Sequence, residues 1–118
     1  MSTAAVKTRT VDGAAWVAQW DLVQSETGDA ESFVWSADKT VQVFGTFGGA
    51  TVVWEGSCLA LTPTDWQGLS DPQGVALSSA TAYLASVSEV VTHIRPRVIG
   101  GDGSTALTCA LLMRATNK

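Results

Sequence analysis

The side chains that could carry out chemistry are few in this chain. It has one histidine, His93, and no pattern places a carboxylate where it would orient the imidazole ring. Asp65, Asp71 and Asp102 each lie in a turn-like context, where an aspartate side chain caps backbone amides. Calcium would accept such oxygen ligands, but nothing resembles an EF-hand loop, so turn capping is the favoured interpretation. The sequence therefore predicts no catalytic residue and no cofactor.

The two cysteines, Cys58 and Cys109, lie far apart in the sequence and form no CxxC motif. A structural zinc site needs about four ligands, and two cysteines with one histidine do not supply them within one chain. A disulfide between them stays open at this stage, but two free, buried thiols are the favoured interpretation. We therefore expect no metal site.

A second group of residues suits binding to a partner rather than catalysis. His93, Arg95 and Arg97 alternate with apolar residues, which places the three side chains on one solvent-side strand face. Of the five tryptophans, Trp35 and Trp66 are the candidates for exposed platforms that stack on sugar rings. For most of the five, filling a small core or anchoring an interface is the favoured interpretation.

The N-terminal residues 1 to 12 are small, polar and rich in threonine, which predicts an extended arm ahead of a single domain over residues 13 to 118. The arm carries Lys7 and Arg9, which we expect to pair with acidic groups on a partner. Main-chain hydrogen bonds would let such an arm add an edge strand to a neighbouring molecule.

The composition limits the classes of function. The chain has 118 residues, enough for one domain, and 15% of them are charged while 46% are hydrophobic. So few charges suggest a surface built largely from loops of Thr, Ser and Gly, a surface that a partner partly covers, or both. A net charge of −4 argues against a nucleic-acid partner, which needs a basic stripe. No apolar run approaches the ~20 residues of a membrane span, and the N-terminus lacks the apolar region of a signal peptide.

The central stretch predicts a β-hairpin. Residues 41 to 47 and 50 to 57 are rich in strand formers, and Gly48–Gly49 between them suits the positive φ values of a two-residue hairpin turn. This register pairs Val43 with Trp54 and places both on an apolar face.

The last third predicts a second hairpin, with residues 93 to 99 and 104 to 113 joined by the turn cluster Gly100–Gly103. Pro96 lacks a backbone donor, so its strand should lie at a sheet edge or be bulged. Residues 14 to 24 favour a strand over a helix, and residues 32 to 36 a short strand. Together these elements predict an all-β fold: an antiparallel β-sandwich or jelly-roll-like barrel of about seven or eight short strands.

A set of turn and strand motifs between Trp20 and Leu112 resembles small structural proteins encoded in the virion gene clusters of tailed bacteriophages. The motifs are Val41–Val52, Glu55–Ser57, Trp66, Leu69, Asp71–Gly74, Arg95–Pro96 and Gly100–Thr105. The resemblance implies a non-enzymatic protein made in the host bacterial cytoplasm and located in the virion.

The function that the resemblance implies is that of a capsid decoration or cement protein, which binds the lattice of the major capsid protein or other virion proteins. Such a protein is expected to form a homo-oligomer and to need neither nucleic acid nor a membrane. The alternative is a carbohydrate-binding or adhesion module associated with a tail or fibre, with Trp35 or Trp66 as the stacking platform.

Overall fold

The computed structural model describes residues 3–4, 7–12, 15–32, 38–59 and 64–114, and these contain twelve β-strands and no helix. No segment of the described chain is therefore a helix long and apolar enough to cross a membrane. The strands in chain order are β1 (Thr3–Ala4), β2 (Lys7–Asp12), β3 (Ala15–Leu22), β4 (Thr27–Gly28), β5 (Glu31–Ser32), β6 (Asp38–Thr46), β7 (Thr51–Ser57), β8 (Gln67–Gly68), β9 (Ser78–Ser79), β10 (Tyr83–Ser86), β11 (His93–Ile99) and β12 (Ala106–Arg114).

The strands form two sheets. One is seven-stranded, in the order β1-β4-β11-β7-β8, with β5 also paired to β11 and β9 also paired to β7. The other is five-stranded, in the order β10-β6-β12-β3-β2. Every pairing is antiparallel except that of β1 with β4. The predicted all-β fold is confirmed, and seven of the described strands have four or more residues.

The core consists of apolar residues that alternate with outward-facing ones along the strands of both sheets. Trp20 and Trp54 are fully buried and meet edge to face, with ring centroids 5.7 Å apart and planes at 70°. The indole Nε1 of Trp20 donates a hydrogen bond to the backbone oxygen of Asp29 at 2.7 Å. This hydrogen bond stabilises the fold, because a buried donor without an acceptor costs free energy.

The prediction that the strands on either side of Gly48–Gly49 pair with each other as a hairpin is wrong. The flanking strands lie in different sheets, since β6 pairs with β10 and β12 while β7 pairs with β11, β8 and β9. Residues 47 to 50 still form a tight turn, with Ala50 N donating to Phe47 O at 2.9 Å and both glycines at positive φ. The chain thus crosses from one sheet to the other at this turn instead of folding back within a sheet.

The second predicted hairpin is wrong in the same way, because β11 pairs with β7 while β12 pairs with β3 and β6. The prediction for Pro96 is also wrong in placement, since β11 lies inside its sheet. Pro96 faces Trp54, whose backbone N–H and C=O bond to Leu77 and Leu69 on the other side. The pair therefore requires no donor from Pro96.

The two turns that connect the sheets, at Gly48–Gly49 and Gly100–Gly103, are linked by hydrogen bonds. The Thr105 hydroxyl donates to Phe47 O at 2.9 Å and accepts from Asp102 N at 2.9 Å. Asp102 accepts hydrogen bonds from the backbone and hydroxyl of Ser104, which hold the pKa of its carboxyl below the usual value. A Cβ atom on Gly48 would clash with the Asp102 carboxylate and the Thr105 hydroxyl.

The N-terminal segment, predicted as an extended arm over residues 1 to 12, pairs with strands of the same chain over its described residues. Lys7–Asp12 pairs with β3 as the last strand of the five-stranded sheet, and Thr3–Ala4 pairs with β4 of the other sheet. The segment is therefore part of the domain's own sheets, because its backbone groups find partners within the same chain. The strand predicted over residues 32 to 36 falls, apart from Ser32, outside the described residues.

Replacing Gly48 with valine should lower the free energy of unfolding by about 3 kcal/mol, measured by urea denaturation. The substitution combines a strained φ of 58° with a clash against Asp102 and Thr105. Gly49→Val is the matched control, since its φ is 86° but no atom lies within 4 Å of its Cβ position. It should cost about 1–2 kcal/mol. Equal losses from the two variants would contradict the contact between the turns.

Alkaline pH should destabilise the fold through Cys109. Burial raises the pKa of the Cys109 thiol to about 12, and burial also raises the pKa of the Tyr83 hydroxyl. Above the usual thiol pKa of ~8.5, the unfolded chain loses a proton that the folded chain keeps. The free energy of unfolding should therefore fall as pH rises towards the folded pKa.

The measurement is urea denaturation at several pH values between about 9 and 11. Cys109→Ala should make the decline shallower, whereas Cys58→Ala removes an exposed thiol and should leave the slope unchanged. If Cys109→Ala has the same slope as the parent chain, Cys109 does not contribute to alkaline destabilisation.

Candidate functional site

The outer face of the seven-stranded sheet holds three of the predicted partner-binding residues. Along β11, Ile94, Pro96 and Val98 are buried, while the alternating His93, Arg95 and Arg97 are partly exposed. Their placement on one outward face agrees with the sequence pattern. Their role in binding a partner stays a prediction.

Glu55 links two of these residues, because Arg95 lies opposite it in the β11–β7 register. Arg95 Nε donates to Glu55 Oε1 at 2.9 Å, and Arg97 Nη1 donates to Glu55 Oε2 at 3.2 Å. The Glu55 side chain is 11% exposed, against 26% for Arg95 and 41% for Arg97. Two guanidinium groups thus offset the cost of holding one carboxylate away from water.

Trp66 completes this group of side chains. The guanidinium carbon of Arg95 lies 4.1 Å from the centroid of the Trp66 ring, a cation–π contact. Trp66 comes directly before β8, which pairs with β7 at Glu55, so the strand pairing brings the indole over the arginine. We call Glu55, Trp66, Arg95 and Arg97 the arginine–tryptophan cluster.

His93 stands apart from any acid–base pair in the described chain. Its Nδ1 lies 3.0 Å from the hydroxyl oxygen of Thr92, which is also within hydrogen-bonding distance of the Ser57 and Leu59 carbonyl oxygens. Within residues 3–4, 7–12, 15–32, 38–59 and 64–114, no group of three or more His, Cys, Asp or Glu side chains could hold a metal ion. The arrangement on this face is suited to ion pairing and stacking.

The remaining predicted residues do not join the cluster. The backbone of β2 places Lys7 opposite Gln19 and Arg9 opposite Val17, in the five-stranded sheet. Trp35 lies outside the described residues. The structure therefore brings together Arg95, Arg97 and Trp66 and leaves the two N-terminal basic residues on the other sheet.

A second group of polar side chains includes Lys39 of β6, in the five-stranded sheet. Lys39 is 3% exposed, and burial lowers the pKa of its amine although Glu89 and Asp38 oppose that shift. Glu89 accepts hydrogen bonds from Ser70 N at 2.9 Å and Ser70 Oγ at 2.5 Å. Although partial burial opposes it, these bonds and the nearby Lys39 hold the pKa of Glu89 below its usual value.

A groove of about 470 Å³ lies beside Lys39. It is lined by Asp38, Lys39, Thr40, Pro72, Ser86, Val87, Leu112 and Arg114. Arg114 Nη2 and Asp38 Oδ2 form an exposed ion pair at 2.6 Å beside it.

Comparison with known proteins bears on the fold alone. No family matches the sequence, and no curated protein matches it. A cupin domain from Bordetella pertussis Tohama I is similar in structure, with a TM-score of 0.52, 14% identity, and 98% of this chain and 96% of that one covered. This likeness shows a shared cupin-like β architecture.

Two further solved structures are more distant. A cupin superfamily protein from Desulfitobacterium hafniense has a TM-score of 0.46 and 9% identity, covering 94% of this chain and 78% of that one. The periplasmic inhibitor of g-type lysozyme from Aeromonas hydrophila has a TM-score of 0.46 and 13% identity, covering 94% and 97%. The resemblance to virion proteins stays a proposal.

Glu55→Gln should lower the free energy of unfolding by about 1–2 kcal/mol, because it removes the carboxylate that two partly buried guanidinium groups share. Arg114→Met is the control, since its ion pair with Asp38 is exposed and should contribute less than about 0.5 kcal/mol. Urea denaturation of both variants measures the difference. If Glu55→Gln loses no more than Arg114→Met, the shared ion pair does not stabilise the sheet.

Proposed function

We propose that this chain is a non-enzymatic structural protein of a tailed-bacteriophage virion: a capsid decoration protein that binds the lattice of the major capsid protein. The motifs between Trp20 and Leu112 support the virion assignment through their resemblance to virion structural proteins. The observation that carries the binding role is the exposed apolar surface on the outer face of the five-stranded sheet.

Strand register aligns the outward residues of this face in rows. Leu84 of β10 lies opposite Gln42 of β6, which lies opposite Ala110 of β12, which lies opposite Gln19 of β3. The neighbouring rows hold Ser86, Thr40, Leu112 and Val17 on one side and Phe44, Thr108 and Asp21 on the other. We call these residues the five-stranded outer face.

Three large apolar side chains stand out on this face. Leu84 is 67% exposed, Phe44 is 47% exposed and Leu112 is 43% exposed. Small apolar, amide and hydroxyl side chains fill most of the space between them, and the Asp21 carboxylate lies 3.4 Å from the Thr108 hydroxyl. Several exposed apolar side chains on one sheet face are typical of a surface that a partner protein covers. The register continues two of these rows to Lys7 and Arg9 of β2.

The edge of the same sheet offers a second means of attachment. In the described part of the chain, β10 has one strand neighbour, β6, so its other edge faces outward. An open edge can accept a strand from a neighbouring protein through main-chain hydrogen bonds. The face and the edge adjoin at Leu84, so one partner could contact both.

The state of the reactive side chains also supports a binding role over catalysis. The Glu55 carboxylate is engaged by two arginines, and the Glu89 carboxylate accepts two hydrogen bonds from Ser70. The Cys109 thiol is buried, and its raised pKa keeps it protonated near neutral pH. These groups are engaged in structural contacts or buried, which favours a binding role over catalysis.

The double variant Phe44→Glu/Leu84→Glu should bind phage capsids that lack this protein at least about a hundredfold more weakly than the parent chain. Two charges would then be buried against the capsid without partners. Both side chains are exposed, so melting of the free protein should change little. Val75→Glu is the control, because Val75 is 61% exposed in the loop between β8 and β9 and should bind normally.

Co-sedimentation with capsids measures the binding, and a gel of intact virions measures the copy number. Hundreds of copies per particle are expected for a shell component. Normal capsid binding by the double variant, or a copy number of only a handful, would contradict the decoration role.

A further inference from the structure

We infer that the arginine–tryptophan cluster on the seven-stranded sheet binds a carboxylated pyranose, that is, a uronic-acid residue of an acidic saccharide. The cluster lies on the sheet opposite the five-stranded outer face, so a chain attached through that face would keep it open to solution. The inference does not depend on the decoration role.

The Trp66 indole packs against an arginine side chain that is itself held by an ion pair. One ring face lies over the Arg95 guanidinium at 4.1 Å, and Arg95 is itself fixed by Glu55 at 2.9 Å. Trp66 remains partly exposed. A ring fixed before the ligand arrives loses little conformational entropy on binding.

A pyranose suits such a ring because one of its faces is formed by C–H groups. These groups carry small positive partial charges, and the face of an indole is negative, so the two surfaces attract when they stack. Tryptophan offers the largest such surface among the side chains. The sugar ring would therefore lie on the side of Trp66 that Arg95 leaves open.

The charges of the cluster favour an acidic sugar over a neutral one. Two guanidinium groups share one carboxylate, which leaves a net charge of +1. Arg97 is the more exposed arginine and uses Nη1 for Glu55, so its other N–H groups are oriented away from that bond. A guanidinium binds a carboxylate through paired hydrogen bonds, which gives the contact a defined geometry.

Arg97 follows Arg95 two residues further along β11, on the same outward face, and residues two apart in a strand lie about 7 Å apart. The proposal places the sugar ring at Trp66, which contacts Arg95, and the carboxylate of the sugar at Arg97. Asp65, the acidic residue next to Trp66 in sequence, lines a hollow with Leu69 and Val91 and accepts a hydrogen bond from Gln67 Nε2 at 3.2 Å.

The test uses the isolated chain and three probes at millimolar concentrations: methyl galacturonide, methyl galactoside and acetate. Chemical-shift titration of the tryptophan indole N–H signals should show binding of the uronide at least about tenfold tighter than either the neutral sugar or acetate. Raising the salt concentration should weaken uronide binding, since the contact with Arg97 is charged.

Two variants locate the site. Trp66→Ala and Arg97→Met should each weaken uronide binding by at least about tenfold. Matched controls on the other sheet are Phe44→Ala, which removes an exposed aromatic ring, and Arg114→Met, which removes an exposed guanidinium. Both controls should bind the uronide like the parent chain, and melting curves check that all four variants fold.

The outcomes separate the sources of binding. Equal affinity for the galactoside overturns the requirement for a carboxylate, and equal affinity for acetate overturns the requirement for a sugar ring. No detectable uronide binding, or binding that survives Trp66→Ala, overturns the site. None of these results bears on capsid attachment, which the variants at Phe44 and Leu84 test separately.

Discussion

The edge-to-face contact of Trp20 and Trp54 joins the two sheets, and the rest of the fold is built around it. Each indole comes from a different sheet, and both are fully buried. Glycine at position 28 makes room for this arrangement, because a Cβ there would lie 2.6 Å from Cδ1 of Trp20. Replacing either tryptophan with alanine would leave a cavity that costs about 3–5 kcal/mol, a large share of a small domain's stability.

The chain reaches both sides of this contact by crossing between sheets at two tight turns. The turn at Gly48–Gly49 leads from β6 to β7, and the turn at Gly100–Gly103 leads from β11 to β12. Thr105 connects them through its hydrogen bond to Phe47 O. Each sheet is therefore assembled from strands distant in sequence, and each turn stabilises the position of the other.

This topology explains why the two outer faces have different chemistry. Pairing of β7 with β11 places Glu55 beside Arg95, which concentrates ion pairs and one indole on the seven-stranded sheet. Pairing of β6 with β10 and β12 places Phe44, Leu84 and Leu112 on the five-stranded sheet, which gives that face three exposed apolar side chains. This difference underlies the two proposed roles, a protein partner for one face and an acidic saccharide for the other.

The fold class and the inward faces of β3, β6, β7, β11 and β12 were predictable from the local sequence, because alternation with a period of two depends only on neighbouring residues. The local sequence also placed His93, Arg95 and Arg97 on one outward face. The pairing of the strands depends on contacts between residues distant in sequence, which the local pattern does not show. A hairpin and a crossing between sheets leave Val43 and Trp54 equally buried, so the local pattern does not distinguish them. Glu55 was missed for this reason: its partners lie about forty residues away and meet it only through the β7–β11 register.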